Sequence, residues 1–288
     1  LYFRLIIIVF VPLNIWFFSF LDDENLITEG VLTLISVDVG QGDCFLISFP
    51  VGETGLIDAG SASVDFDNGE RVIIPLLRNI GIDKIDYGFI SHFDNDHYGG
   101  FLSLIEAGMV EKVIFPNHYE SSVFAEAFKL FCEKYETKTE FFKDTSFNIG
   151  GAKIFVLSRE EDMAKSSSLN EGSGIIKINY GNRSFLFTGD AGEEKEQELI
   201  RRYEKFLRSD VLKVSHHGSK SGTSKKFLDF VNPEFAIISC GLGNVHKHPS
   251  KDVVERLENK KCKILRTDIN GAVILETDGV SIIQKQWR

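Results

Sequence analysis

The sequence predicts an α/β fold of two similar halves whose strand ends meet along one edge. Three observations predict it. Strand-like and helix-like segments alternate from about residue 31 onward. A weak internal repeat relates "FLISFPVGETGLIDAG" to "IIKINYGNRSFLFTGDAG", each a strand, a Gly turn, a strand and a closing Asp. Each repeat leads through a helix to an apolar strand ending in Ser-His, as "GFISHFD" and "LKVSHHG". With 288 residues, 43% of them hydrophobic, the chain can bury the core of one large α/β domain. In such sheets ligand sites gather where strand ends meet a crevice.

The elements follow in order. "LYFRLIIIVFVPLNIWFFSFL", residues 1–21, holds one charge, Arg4, and has the length of a membrane span. It offers no small-x-small cleavage site and no initiator Met, so the chain reads as cut from something longer. Arg4 before it and "DDEN" after it place the rest of the chain outside the cytoplasm by the positive-inside rule. Residues 22–30 read as a linker and 31–288 as the folded domain. "VLTLISVDVGQGDCFLISFP" is two strands around a Gly-rich turn, and "TGLIDAG" a third strand. "GERVIIPLLRNIG" is helical, "KIDYGFIS" a strand, and "HYGGFLSLIEAG" a helix ended by Gly108. "VEKVIFP" is a strand and "SSVFAEAFKLFCEKY" an amphipathic helix. "AKIFVLS", the hairpin "SGIIKINYGNRSFLFTGD" and the acidic helix "AGEEKEQELIRRYEKFL" come next. "DVLKVSHHGS", "PEFAIISCG", a helix from about Pro249 to Glu258, and strands "KCKILRTD", "GAVILET" and "VSIIQKQW" close the chain. The loop "SREEDMAKSSSLNEGSG" is its most polar stretch.

Charge and cysteine content narrow the chemistry. A net charge of −10 argues against broad non-specific binding to duplex DNA, which needs clustered Lys and Arg. Four cysteines with no CxxC pair make a thiolate zinc site unfavourable and read as buried free thiols.

Chemistry concentrates in "SHFDNDHYGG". His92, Asp94, Asp96 and His97 follow an apolar strand directly. Imidazoles and carboxylates are ligands for zinc, manganese or iron, and two neighbouring aspartates repel unless a cation lies between them. A helix cap would explain Asp96 alone. Asp190 closes another apolar strand, and one carboxylate can bridge two cations. In "VSHHGSKSGT" one of His216 and His217 is a ligand, His217 being preferred; the other serves a phosphate or a leaving group. The loop "GNVHKHPS" places Asn244 and His248 before a helix start that suits an anion, with His248 touching substrate or shuttling a proton. Ser219 and Lys220, with Lys225 and Lys226, form a basic stretch able to follow a phosphate backbone. Asp58 stands ready to hold a ligand His from behind. Asp38 and Asp43 belong either to a turn that exposes N–H groups to the site or to a tight hairpin. His118 and His246 read as structural or surface residues.

Together these motifs resemble the metallo-β-lactamase superfamily, and most closely the C-terminal domain of the ComEC family of DNA-uptake channels. "DVGQGD", "IDAG", "SHFDNDHYGG", "TGD", "HHGS" and "HP" occur in that family's order, across roughly residues 37 to 249. "HFDNDH" matches the superfamily's His-x-[His/Asp]-x-Asp-His signature, with Asp94 where a second His is usual. The resemblance implies an αββα sandwich of two pseudo-symmetric halves behind one hydrophobic, transmembrane-like helix. It implies two divalent ions, zinc or manganese. His92 and Asp94 would hold one, Asp96, His97 and a "HHGS" histidine the other, and Asp190 would bridge them. One superfamily His between the two motifs has no counterpart; "LNEGSGII" puts Asn170 and Ser173 there. Catalysis would rest on Asp96, His216 and His248. The implied activity is hydrolysis of single-stranded DNA during uptake, by a membrane-anchored extracytoplasmic domain partnered by the channel region. Hydrolysis of another ester, such as a phosphorylcholine ester or lactone, and a non-catalytic DNA-guiding domain are the alternatives.

Overall fold

The computed structural model describes residues 26–116, 123–143, 145–158 and 168–286. The apolar segment 1–21, residues 22–25 of the expected linker, His118 and residues 159–167 of the polar loop lie outside them. Among the described residues no helix is long and apolar enough to cross a membrane.

The first half contributes β1 (Leu32–Ser36), β2 (Cys44–Ser48), β3 (Thr54–Ala59), β4 (Ile85–Phe89), β5 (Val110–Phe115) and β6 (Lys138–Phe141). The second contributes β7 (Thr145–Ile149), β8 (Ala152–Val156), β9 (Ile176–Tyr180), β10 (Arg183–Phe187), β11 (Val211–Lys213), β12 (Phe235–Ile238) and β13 (Lys263–Arg266). The helices are α1 (Ile74–Asn79), α2 (Asn95–Glu106), α3 (Val123–Lys134), α4 (Glu193–Tyr203), α5 (Lys225–Val231), α6 (Lys251–Asn259) and the single turn α7 (Thr267–Asn270). Strands β14 (Val273–Thr277) and β15 (Ile282–Lys285) return to the first half, β14 pairing antiparallel with β1.

Two sheets result, ordered β15-β14-β1-β2-β3-β4-β5-β6 and β13-β12-β11-β10-β9-β8-β7. Each half repeats one scheme. Antiparallel strands come first, then a parallel run, β3-β4-β5-β6 in one sheet and β10-β11-β12-β13 in the other. Parallel neighbours need crossovers, and α1, α2 and α3 supply them in the first half as α4, α5 and α6 do in the second. The period-2 alternation of each strand sorts its side chains between layers. Leu32 and Leu34, Phe45 and Ile47, and Phe185 and Phe187 fill the core between the sheets. Ile35 and Leu46 face outward to a core shared with Leu77, Phe101 and Phe128 of α1, α2 and α3. Leu186 and Leu212 face outward to Leu199, Phe227 and Val253 of α4, α5 and α6. The layers are therefore helix, sheet, sheet, helix, and the ends of both parallel runs open on one edge.

The differences from the sequence reading have local causes. The helix expected over 69–81 splits into a π turn, Gly69–Ile73, and α1. The last long helix begins at Lys251, because Ser250 caps it by accepting the Val253 N–H at 3.4 Å. Strands β6 and β7 escape the pattern because they are sheet edges with mostly exposed, polar residues. Helix α5 takes Lys225 and Lys226 out of the expected loop and puts them, exposed, in its first turn. All four cysteines are free and buried, as their spacing suggests.

Candidate metal centre

The strand ends bring the sequence-predicted residues together. Asp58 lies in β3, and Ser91 and His92 follow β4. Asp94 is the N-cap of α2 by backbone conformation, yet its side chain makes no cap hydrogen bond. Its carboxylate faces the His92 Nε2 at 3.4 Å instead. Asp96 and His97 ride on the first turn of α2. Asp190 follows β10, and His216 and His217 follow β11. Both histidines are left-handed, with φ of 49° and 53°. Two such non-glycine residues in succession are costly and mark a constrained site. The turn sends His217 inward, 1% exposed, and leaves the His216 side chain 29% exposed.

Each buried imidazole is held from behind and offers its other nitrogen to the pocket. His97 Nδ1 meets Asp58 Oδ2 at 2.9 Å, and Asp58 also accepts the Ser91 N–H and Oγ–H, each at 2.7 Å. His92 Nδ1 meets Ser91 Oγ at 3.0 Å. His217 Nδ1 donates to the Ser239 carbonyl at 2.9 Å. The Nε2 atoms of His92, His97 and His217 are buried and have no hydrogen-bond partner. Around them lie carboxylates: Asp190 Oδ1 is 3.3 Å from His97 Nε2, and Asp190 Oδ2 is 3.5 Å from His217 Nε2. Asp96 Oδ2 is 3.3 Å from His217 Nε2. His92 with His97 and Asp190, and Asp96 with His97 and His217, each bring three ligand atoms within 4.8 Å of one another. Three orphaned imidazole nitrogens among carboxylates are a donor set that fits zinc or manganese. This arrangement separates the neighbours that sequence left open: His217 offers the buried nitrogen, while His216 sits at the mouth with Nε2 3.6 Å from Asp190.

The charges are strongly coupled. Burial pushes the Asp190 carboxyl up, but His217, His97 and Lys213 outweigh it and hold it well below its ordinary range. Burial likewise opposes ionisation of Asp96, and its contact with His217 wins, keeping it low. Burial disfavours the charged imidazolium, yet Asp190 and Asp58 hold the His97 pKa well up, and Asp190 and Asp43 raise His217 to about 10. Protons on these two rings and a cation therefore compete for the same lone pairs. His216 is shifted down by burial, and His248 falls to about 4 through burial and the neighbouring His216.

Other predicted residues surround this group. Ser173 Oγ accepts the Asp190 N–H at 3.2 Å, bracing the strand end. Asn170 Nδ2 is 3.5 Å from His216 Nδ1, at the rim. His248 packs its ring 5.6 Å from His216. The Asn244 amide is spent on its own loop, donating to Gly241 O and His248 O at 2.9 and 2.6 Å and accepting the His248 N–H at 2.9 Å. Ser219 Oγ meets Ser221 Oγ at 2.9 Å, and Lys220 is exposed.

Two buried residues went unread or undecided. Asp38 simply turns the chain, accepting the Gly40 N–H at 3.1 Å. Asp43 instead is 1% exposed, with Oδ1 3.3 Å from His217 Nδ1. The Gly-rich turn before it packs against α2, where a Cβ on Gly42 would strike the Asp96 carbonyl. Lys213, at the end of β11, forms an ion pair with Asp43 and lies 3.4 Å from Asp190 Oδ1. A lysine inside the apolar run "VLKV" was the signal available for it.

Comparisons with known proteins place the chain in a family. The family model described as the metallo-beta-lactamase superfamily matches residues 37–242. ComE operon protein 3 of Bacillus subtilis (strain 168) is 32% identical over 260 residues, covering 85% of this chain and 33% of that protein. Recombination protein 2 of Haemophilus influenzae is 33% identical over 238 residues, covering 83% and 28%. Competence protein ComA of Neisseria gonorrhoeae is 30% identical over 243 residues, covering 82% and 31%. The chain thus spans about a third of the length of these relatives. Among solved structures, the metallo-beta-lactamase fold protein YhfI from Bacillus subtilis aligns with a TM-score of 0.60 at 14% identity, covering 86% of this chain and all of that one. CmlA, a diiron beta-hydroxylase from Streptomyces venezuelae, aligns at 0.59 and 14%, covering 87% and 55%; these two share the fold alone. The chain belongs to the metallo-β-lactamase superfamily, and its relatives in that family include competence proteins.

Proposed function

We propose that this domain is a metal-dependent phosphodiester hydrolase, a nuclease that degrades one DNA strand during uptake through a membrane channel. The observation that carries the metal-dependent part is the trio of buried, unpartnered Nε2 atoms on His92, His97 and His217 among Asp94, Asp96 and Asp190. His92 and Asp94 would hold one cation, Asp96, His97 and His217 the other, with Asp190 between. When bound, such ions supply Lewis acidity and lower the pKa of water to near neutrality. The chain's own residues do the rest. Asp58 and the Ser239 carbonyl fix the tautomers of His97 and His217 so that each Nε2 lone pair faces the pocket. Ser173 fixes the backbone of Asp190. Hydrolysis must deliver a proton to the leaving oxygen. His216 is the imidazole that both faces Asp190 and reaches solvent, and His248 packs beside it. DNA as substrate rests on the competence relatives and on the exposed Lys220, Lys225 and Lys226 after "HHG". Residues 1–21 would anchor the domain on the extracytoplasmic side, beside a channel region.

The test is cleavage of end-labelled single-stranded DNA by the whole chain in mild detergent. It is run with manganese or zinc against EDTA, and beside Asp96→Ala and Asp190→Ala. Metal-dependent cleavage lost in both variants supports the reading. No cleavage by metal-loaded protein moves the reading to another ester, and absence of bound metal moves it to a DNA-guiding domain.

A further inference from the structure

Four groups of three His and Asp residues gather ligand atoms within 4.8 Å among the described residues, and two of the four contain Asp43. These are Asp43 with Asp190 and His217, and Asp43 with Asp58 and His97. By ligand geometry alone Asp43 would recruit a metal. Its carboxylate is already engaged: the Lys213 ammonium lies on Asp43 Oδ2, 3.4 Å from Asp190 Oδ1, and donates to the Gly189 carbonyl. The ammonium thus has hydrogen-bond acceptors in Gly189 O and Asp190 Oδ1, and it meets Asp43 Oδ2 as an ion pair, the Asp43 oxygens having no hydrogen-bond partner. The Lys213 side chain is 1% exposed, so it meets neither solvent nor a substrate at the pocket mouth. The charges also match. Asp43, Asp58, Asp94, Asp96 and Asp190 carry five negative charges, which two divalent cations and one ammonium offset in full.

We propose that the Lys213 ammonium is a resident third cation of this cluster, which keeps Asp43 out of the metal-ligand set and holds the Oδ1 side of Asp190. Lys213 is then a positioning residue whose removal opens an additional metal site on Asp43. The inference rests on the metal-centre reading above.

Its test is the metal content of the purified chain, measured by mass spectrometry after equilibration with manganese or zinc and desalting. Lys213→Ala is expected to retain one more ion per chain than the unaltered protein. Its melting temperature in EDTA should fall by about 10 °C, because a buried carboxylate loses its counter-charge, and recover with metal. An unchanged or lower metal content in folded Lys213→Ala overturns the proposal. Should that variant fail to fold, Asp43→Asn decides. With Asp43 outside the ligand set, its metal content stays at the unaltered value and its affinity within about threefold; a tenfold or larger loss means Asp43 is a ligand, and overturns the proposal. An unaltered chain that binds no metal removes the metal-centre reading and this inference together. Bound metal with no effect of Lys213 removes this inference alone.

Discussion

Asp58 and Asp190 occupy matching places in the repeat, each followed by Ala-Gly at the head of a parallel run, and they have opposite environments. The Asp58 carboxylate is engaged by the protein on both oxygens: it accepts two hydrogen bonds from Ser91 and meets His97 Nδ1. The Asp190 carboxylate lies among the Nε2 atoms of His97, His216 and His217 at 3.3–3.6 Å and beside the Lys213 ammonium. One aspartate spends its lone pairs on the protein, and the other keeps them where a cation would sit. The internal repeat places a carboxylate at two matching strand ends; unequal surroundings turn one toward the protein and leave the other facing the pocket.

Exchanging each for Asn should separate the two roles most strongly. Asp190→Asn is expected to abolish tight metal retention and, with it, the DNA cleavage proposed above. Asp58→Asn should keep the metal with about 10–100-fold weaker affinity, as for loss of a group behind a ligand. Equal losses in both, read by metal titration and initial rates, would break the comparison. Denaturant melts of metal-free Asp58→Ala should also show a loss of about 3–5 kcal/mol, since the buried Ser91 and His97 groups lose their acceptor.

The two neighbouring histidines provide a second contrast of smaller size. His217→Ala should lose one metal ion per chain. His216→Ala should keep full metal content while the proposed cleavage falls about 10²–10⁴-fold, the range for a proton-transfer group. Metal loss in His216→Ala instead would reverse the assignment.

A pH-dependent contrast lies on the second half's outer side. Glu196, on the buried face of α4, accepts the N–H groups of Thr223 and Ser224, holding the segment after "HHG". Burial raises its pKa to about 7 despite those hydrogen bonds. The fold therefore favours the neutral carboxyl. Its stabilising contribution is complete below the unfolded value near 4.5 and is lost as pH rises through about 7. The span corresponds to about 3 kcal/mol. Glu196→Gln should flatten that part of the profile, seen as a melting temperature that falls less between pH 5 and 8 than that of the unaltered chain.

The contrast between the aspartates also explains how much was legible. The repeat exposed both strand ends, and "HFDNDH" is local, so its four ligand candidates fall within six residues. The sequence reading leans to His217 over His216, but the reason, two successive left-handed residues that turn one ring inward and the other to the mouth, is displayed by no pattern. The Asp43–Lys213 pair joins positions 170 residues apart, brought together only when the sheets stack. Edge strands β6 and β7 were missed because their burial is too slight to impose alternation. The apolar segment 1–21 was legible by composition and lies outside the described residues.

The central claim is that the orphaned nitrogens of His92, His97 and His217 face a metal centre. Anomalous X-ray scattering from crystals of the chain grown with zinc or manganese tests it most directly. The account predicts peaks at about 2.0–2.2 Å from those Nε2 atoms and from Asp190. Metal peaks only elsewhere, or a pocket without any in metal-saturated crystals, would contradict it.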